Sequence, residues 1–187
     1  MTDVKDSCLV YSIGSNGNFQ FEENVLKHVS PKCEIHTFDL KAFTLQDSTK
    51  ASMRNKDFAA GAKKVGVTFH HWGLGEITER MQNMKPFKKI ITTLKHEGRT
   101  IDLMKIDCER CEYQQFRQWL QDWKDMGLTV RQVMLEIHNS DLPHVVDLFN
   151  EFQRAGYVMF HKEANYIGEA KSIEAAFLLL STDFQKE

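Results

Sequence analysis

No apolar run in this chain approaches the roughly 20 residues that a membrane-crossing helix needs, so a helical membrane protein is excluded. Charge of one sign is missing as well: the formal net charge is -2 over 187 residues. A balance of that kind gives no global field to draw in a polyanion, so nucleic acid is not indicated as a partner. The densest cationic cluster, Lys85, Lys88 and Lys89, reads as the solvated face of a helix. Four cysteines are too few for a disulfide scaffold at this length, and Cys8, Cys33, Cys108 and Cys111 are expected as reduced, partly buried thiols. The first seven residues hold no apolar core of signal-peptide type, which points to the cytoplasm; a chain trimmed from a secretory or membrane-anchored protein would read the same way. Repeats, low-complexity tracts and linkers are also absent.

What remains is ordinary globular material, 42% hydrophobic and 27% charged. One domain covering residues 1–187 is expected, long enough to bury a core without staples. Apolar runs with strand character recur at 8–13, 35–40, 65–71, 101–107, 131–138, 156–161 and 175–181. The first five are separated by stretches that can hold a helix, which predicts an α/β fold with a mainly parallel sheet. Phe116, Trp119, Leu120 and Trp123, and again Val145, Phe149 and Phe152, fall at helical spacing and predict two apolar stripes packed on a sheet. Ser140-Asp141-Leu142-Pro143 and Ala155-Gly156 bracket a helix over 142–155. Residues 41–64 are polar and read as a loop and a helix. The last two runs are joined by a polar connector, 162–174, too poor in apolar periodicity for a crossover, so that pair should be antiparallel.

Two segments carry candidate chemistry. In the first, Val10-Tyr11-Ser12-Ile13 breaks into Gly14-Ser15-Asn16-Gly17, and Ile35-His36-Thr37-Phe38-Asp39 follows. A side-chain-poor turn after one buried strand, with an acid ending the next, can hold a nucleoside by its ribose hydroxyls. In the second, the run 101–107 ends at Asp107, followed by Glu109 and Glu112, where α/β sheets place their ligands. Glu112 reads better as a first-turn acid favouring a helix start. The fifth run, Leu135-Glu136-Ile137-His138, puts a carboxylate inside a strand, where it needs a partner such as Lys105, and a histidine that can deprotonate a substrate near neutral pH. Cys108-x-x-Cys111 lacks a second ligand pair for zinc, and no metal site is expected.

The runs at 10–16, 36–39, 72–75, 105–112 and 135–138 together resemble the class I S-adenosylmethionine-dependent methyltransferases. The nearest branch is the FkbM-like and methyltransferase-like type 24 proteins, whose fourth strand reads Lys-Ile-Asp-x-Glu. The resemblance implies a seven-stranded, mostly parallel Rossmann-like sheet with the last strand antiparallel and helices on both faces. It implies S-adenosylmethionine as cofactor, with Gly14, Ser15 and Asn16 wrapping the methionine part and ribose, and Asp39, followed by Leu40, at the ribose hydroxyls. Gly73 and Leu74 would lie along the adenine and Asp107 near the amino group and sulfonium. Asp107, Glu109 and His138 are the candidates for proton removal from an oxygen or nitrogen acceptor, which is expected to be a small molecule, sugar or peptide. Ser12 stands where many such enzymes have an acid, Asn18 replaces a loop glycine and Arg110 replaces the glycine of the fourth motif. These departures leave a catalytically silent adenosyl-binding domain as the alternative. A nicotinamide-dependent oxidoreductase fits less well, because the loop lacks the third glycine.

Overall fold

The computed structural model describes residues 7–40, 48–76, 83–108, 111–138, 142–165 and 172–181. The chain divides into two compact units, Met1–Pro86 and Phe87–Glu187.

The first unit runs β1 (Leu9–Ile13), α1 (Gln20–His28), β2 (Glu34–Phe38), α2 (Ser48–Val65), β3 (Thr68–His70), β4 (Gly73–Leu74) and β5 (Met84–Lys85). All five residues of β1 are buried, as expected of a strand covered on both faces, which reads as a continuous apolar run instead of an alternating one. The order β3-β2-β1 is parallel throughout, with Ser12 beside Thr37 and Ile13 beside Phe38. Helix α1 carries Glu22 and Glu23 in its first turn and Lys27 and His28 in its last, the charge order its backbone dipole favours. The Gln20 amide donates to the Asn18 side chain at 3.0 Å. Two-residue strands β4 and β5 pair in parallel as a separate small sheet.

The second unit runs α3 (Phe87–Leu94), β6 (Thr100–Ile106), α4 (Cys111–Asp125), β7 (Thr129–His138), α5 (Leu142–Arg154), β8 (Tyr157–Asn165) and β9 (Ser172–Leu179). Its strands lie in the order β6-β7-β9-β8, with β6 and β7 parallel and β9 antiparallel to both of its neighbours. Three strands in one sheet segment and four in the other, the last of the chain reversed, give the seven-stranded, mostly parallel α/β class read from the sequence.

Of the predicted apolar stripes, Phe116, Trp119 and Trp123 of α4 and Phe152 of α5 are buried, whereas Leu120, Val145 and Phe149 are half-buried and the unpredicted Leu148 is buried beside them in α5; Phe152 stacks on Phe177 of β9 at 4.6 Å between ring centres. Each such buried aromatic stabilises the unit by roughly 1.5–3 kcal/mol. Helix α5 closes at Ala155-Gly156, where the Gly156 amide donates to the Gln153 carbonyl at 3.0 Å. Tyr157 then enters the core and donates its hydroxyl to the Val130 carbonyl at 2.6 Å.

Some expectations need correction. Lys85 lies on β5, so the cationic cluster spans a strand and the start of α3, and its ammonium sits 4.9 Å from the centre of the Trp72 ring. The polar connector is shorter than read, because β8 extends to Asn165 and β9 begins at Ser172. The cysteines are not free thiols: Cys8 bonds Cys33, with Cα atoms 4.5 Å apart, and Cys108 bonds Cys111, at 5.4 Å. The first bridge joins the residues entering β1 and β2, where parallel pairing already brings the Glu34 amide 2.7 Å from the Cys8 carbonyl. Proximity across two parallel strands is invisible to a count of cysteines. Residues 41–47 of the predicted loop lie outside the described residues, and the helix after them is α2.

Candidate functional site

In the first unit the turn after β1 is shaped by three consecutive needs. Gly14, Asn16 and Gly17 all have positive φ, of 82°, 51° and 75°, a region that glycine enters freely and asparagine tolerates better than other side chains. At Gly17 a Cβ would also run into the Phe58 ring of α2. The Gly14 amide donates to the Phe38 carbonyl at 2.9 Å, tying the turn to the end of β2. One residue further on, the Asp39 carboxylate accepts the Asn16 amide at 2.5 Å and the Ser15 hydroxyl at 3.3 Å. Ser15 Oγ in turn accepts the Gly17 amide at 3.2 Å. Asp39 is therefore a buried acid whose position is fixed by the turn it faces. Gly14, Ser15, Asn16 and Asp39 come together as the sequence suggested.

Leu40 and Gly73 come together within the same unit, and Leu74 follows Gly73 on β4. A Cβ on Gly73 would overlap the Leu40 side chain and the Met84 sulfur, so glycine here permits close approach of three segments. Beyond them, Phe38, His70 and Trp72 stack in series, at 4.9 Å and 4.5 Å between ring centres. His70 Nε2 lies 2.8 Å from His36 Nδ1, one of the two supplying the hydrogen. His71 is held towards its neutral form by burial, which outweighs the opposing pull of Asp39.

Sequence reasoning missed one acid in this unit. Glu22 of α1 is wholly buried and accepts the Thr37 hydroxyl at 3.1 Å. Thr37 is the register partner of Ser12, and Ser12 Oγ and Glu22 Oε2 are buried with no hydrogen-bond partner among the described residues. Where many relatives of this fold were expected to carry an acid on β1, this chain brings a carboxylate to the same level from α1. The signal available was Phe19-x-x-Glu22, an acid on the apolar side of a short helix.

In the second unit a polar cluster gathers at the carboxyl ends of β6 and β7. His138 Nε2 lies 3.6 Å from Asp107 Oδ1 and 3.7 Å from Glu136 Oε1. Lys105 Nζ is 3.3 Å from Asp107 Oδ2. Glu136 accepts the Ser172 hydroxyl at 2.8 Å and the Asn165 amide at 3.3 Å, so β8 and β9 supply partners that the sequence reading sought only in Lys105. Glu174, which pairs in register with Glu136, has its carboxyl pushed up by burial and by the neighbouring Glu136 and Asp107, against the opposing Lys105 and Asn165. Asp107 and His138 are thus brought together. Glu109, with Arg110, lies outside the described residues. Cys108 and Cys111 close a bridge immediately after Asp107, at the entry to α4.

A glycine turn fastened to an acid after the next parallel strand is the arrangement of nucleoside-binding α/β proteins. The comparisons narrow that class. Residues 1–179 match the family described as "Methyltransferase domain", and the chain belongs to that family. Its structure resembles Aeropyrum pernix fibrillarin, solved with natively bound S-adenosyl-L-methionine, with a TM-score of 0.59 at 8% identity over 94% of this chain and 68% of that one. A human methyltransferase 10 domain containing protein gives 0.57 at 10% identity over 97% and 76%. TrmK from M. capricolum, solved with S-adenosyl-homocysteine, gives 0.51 at 11% identity over 93% and 63%. At these identities the likeness is one of fold. No curated protein matches the sequence.

Proposed function

We propose that this chain binds S-adenosylmethionine at the Gly14 turn and transfers the methyl group to an oxygen or nitrogen acceptor. One observation carries the reading: the Asp39 carboxylate is held against the turn by the Asn16 amide and the Ser15 hydroxyl. A carboxylate is an acceptor-only group, the chemistry that ribose hydroxyls call for. Membership of the methyltransferase family supports the same cofactor. Gly14, Ser15 and Asn16 take the methionyl and ribose portion, and Leu40, Gly73 and Leu74 offer apolar surface to the adenine. Within the family we assign the chain to the FkbM-like and type 24 branch, on Lys105-Ile106-Asp107-x-Glu109.

When bound, the cofactor supplies a methyl group on sulfonium, a carbon open to in-line displacement. The chain's own part is to align an acceptor and handle its proton. Asp107 orients His138, whose imidazole takes the proton of a hydroxyl acceptor; Glu109 is the further candidate. A nitrogen acceptor with a free lone pair needs alignment alone.

Isothermal calorimetry tests the cofactor assignment. Wild-type protein should bind S-adenosylmethionine in the micromolar range, and Asp39→Ala should abolish binding while retaining its circular dichroism. Absence of binding by folded wild-type protein would refute the proposal. Turnover assays across hydroxyl, amine and RNA acceptors then separate a working enzyme from a silent adenosyl-binding domain, which would bind and never turn over.

A further inference from the structure

Asp107, Glu136 and His138 come from two neighbouring strands of the second unit. Glu136 and His138 are two apart on β7 and so share a face, and Asp107 follows the end of β6 beside them. One donor atom from each falls within 4.8 Å of the other two, and the two distances from His138 Nε2 are 3.6 Å and 3.7 Å. A metal held at about 2.0–2.2 Å from each donor keeps its ligand atoms about 3–3.5 Å apart. Small side-chain rotations therefore close this set. Their side chains are 12–29% exposed, open enough for an ion to enter and dry enough to weaken competition from bulk water.

A second observation concerns orientation. Lys105 engages one oxygen of Asp107 and leaves the other towards His138, at 3.3 Å and 3.6 Å. Ser172 and Asn165, from β9 and β8, fix the Glu136 carboxylate. Hydrogen-bonded supporting groups of this kind are what orient ligands around a metal.

We infer that Asp107, Glu136 and His138 bind a divalent transition-metal ion of the Mn2+ or Zn2+ kind. One imidazole with two carboxylates suits these ions better than Ca2+, which takes six to eight oxygen ligands. The site lies wholly on the second unit, and an ion there takes His138 as a ligand in place of its role as proton acceptor. A bound ion of this kind polarises an oxygen ligand, which makes a hydroxyl the acceptor class it favours; that last step alone rests on the proposed function.

The test uses metal-stripped full-length protein titrated with Mn2+ under electron paramagnetic resonance, with Zn2+ as competitor. Wild-type protein should take up about one Mn2+ per chain, show nitrogen coupling from His138, and release the ion to Zn2+. Glu136→Gln and His138→Ala should each weaken binding by about tenfold or more, with circular dichroism confirming that they fold. Folded wild-type protein that holds neither ion at millimolar concentration, a signal without nitrogen coupling, or unchanged affinity in both folded variants would overturn the assignment. Should the variants fail to fold, the nitrogen coupling of the wild type decides. Calorimetry with S-adenosylmethionine on the same samples separates failure of this site from failure of the cofactor assignment.

Discussion

At the scale of single residues, polar atoms inside this fold are held by specific partners, and Tyr157 shows the consequence most directly. Its hydroxyl is buried against the Val130 carbonyl, and burial pushes the phenol well above its ordinary value near 10. Because only the folded state resists ionisation, the stabilisation is intact below about pH 10 and is lost as the pH rises beyond that value. Denaturant unfolding at pH 7, 9 and 11 should show little change between the first two and a fall at the third. Tyr157→Phe should cost about 0.5–1.5 kcal/mol at pH 7 through the lost hydrogen bond and remove that part of the alkaline fall. A variant as alkali-sensitive as the wild type would contradict the account. The same scale shows what sequence could reach in the site. Asp39 was legible because an acid ending the second apolar run has a chemical reason to be there. Glu22 was not, since a glutamate in the first turn of a helix is usually explained by the dipole, and only the fold shows it turned inward to Thr37.

At the scale of elements, long periodic segments were read correctly and short ones were not. Strand β7 announced itself by its apolar run and helix α5 by repeated apolar spacing and its close at Ala155-Gly156, the expected cap at Ser140-Asp141 lying outside the described residues, whereas β4 and β5 are two residues each, too short for any period to register. The partners of Glu136 were hidden for a related reason: Ser172 and Asn165 reach it only through the β7-β9 and β8-β9 register, which no local pattern states. The Cys8–Cys33 bridge belongs to this scale too, since it staples the starts of two parallel strands across 25 residues of chain. Closing a loop of that length removes unfolded-state entropy worth roughly 3 kcal/mol. The double variant Cys8→Ser/Cys33→Ser should therefore melt several degrees lower by calorimetry, whereas Cys108→Ser/Cys111→Ser, which opens a loop of sequence separation 3, should shift the midpoint less. Equal shifts would show that strain or packing, and not loop closure, sets the contribution.

At the scale of the whole molecule, alternation of apolar runs with helical stretches was enough to establish the fold class, because parallel strands demand crossovers and the final pair had no room for one. Composition misled in one respect. Four cysteines in 187 residues looked like incidental thiols, yet each pairs within its own unit, and none among them is free. Disulfides persist where the surroundings are oxidising and are rare where glutathione and thioredoxin keep thiols reduced, so the route by which the chain is made should alter the product. Protein prepared through an oxidising secretory route and unfolded without reductant should show no thiol reactive towards an alkylating agent. Protein prepared in a reducing cytosol and handled under reductant should show four and should melt lower, by about the Cys8–Cys33 contribution. Intact mass after alkylation reads both states. Four reactive thiols in the oxidised preparation would mean that the strand starts bring Cys8 and Cys33 together without bonding them, and the cysteines would return to being small apolar residues of the core.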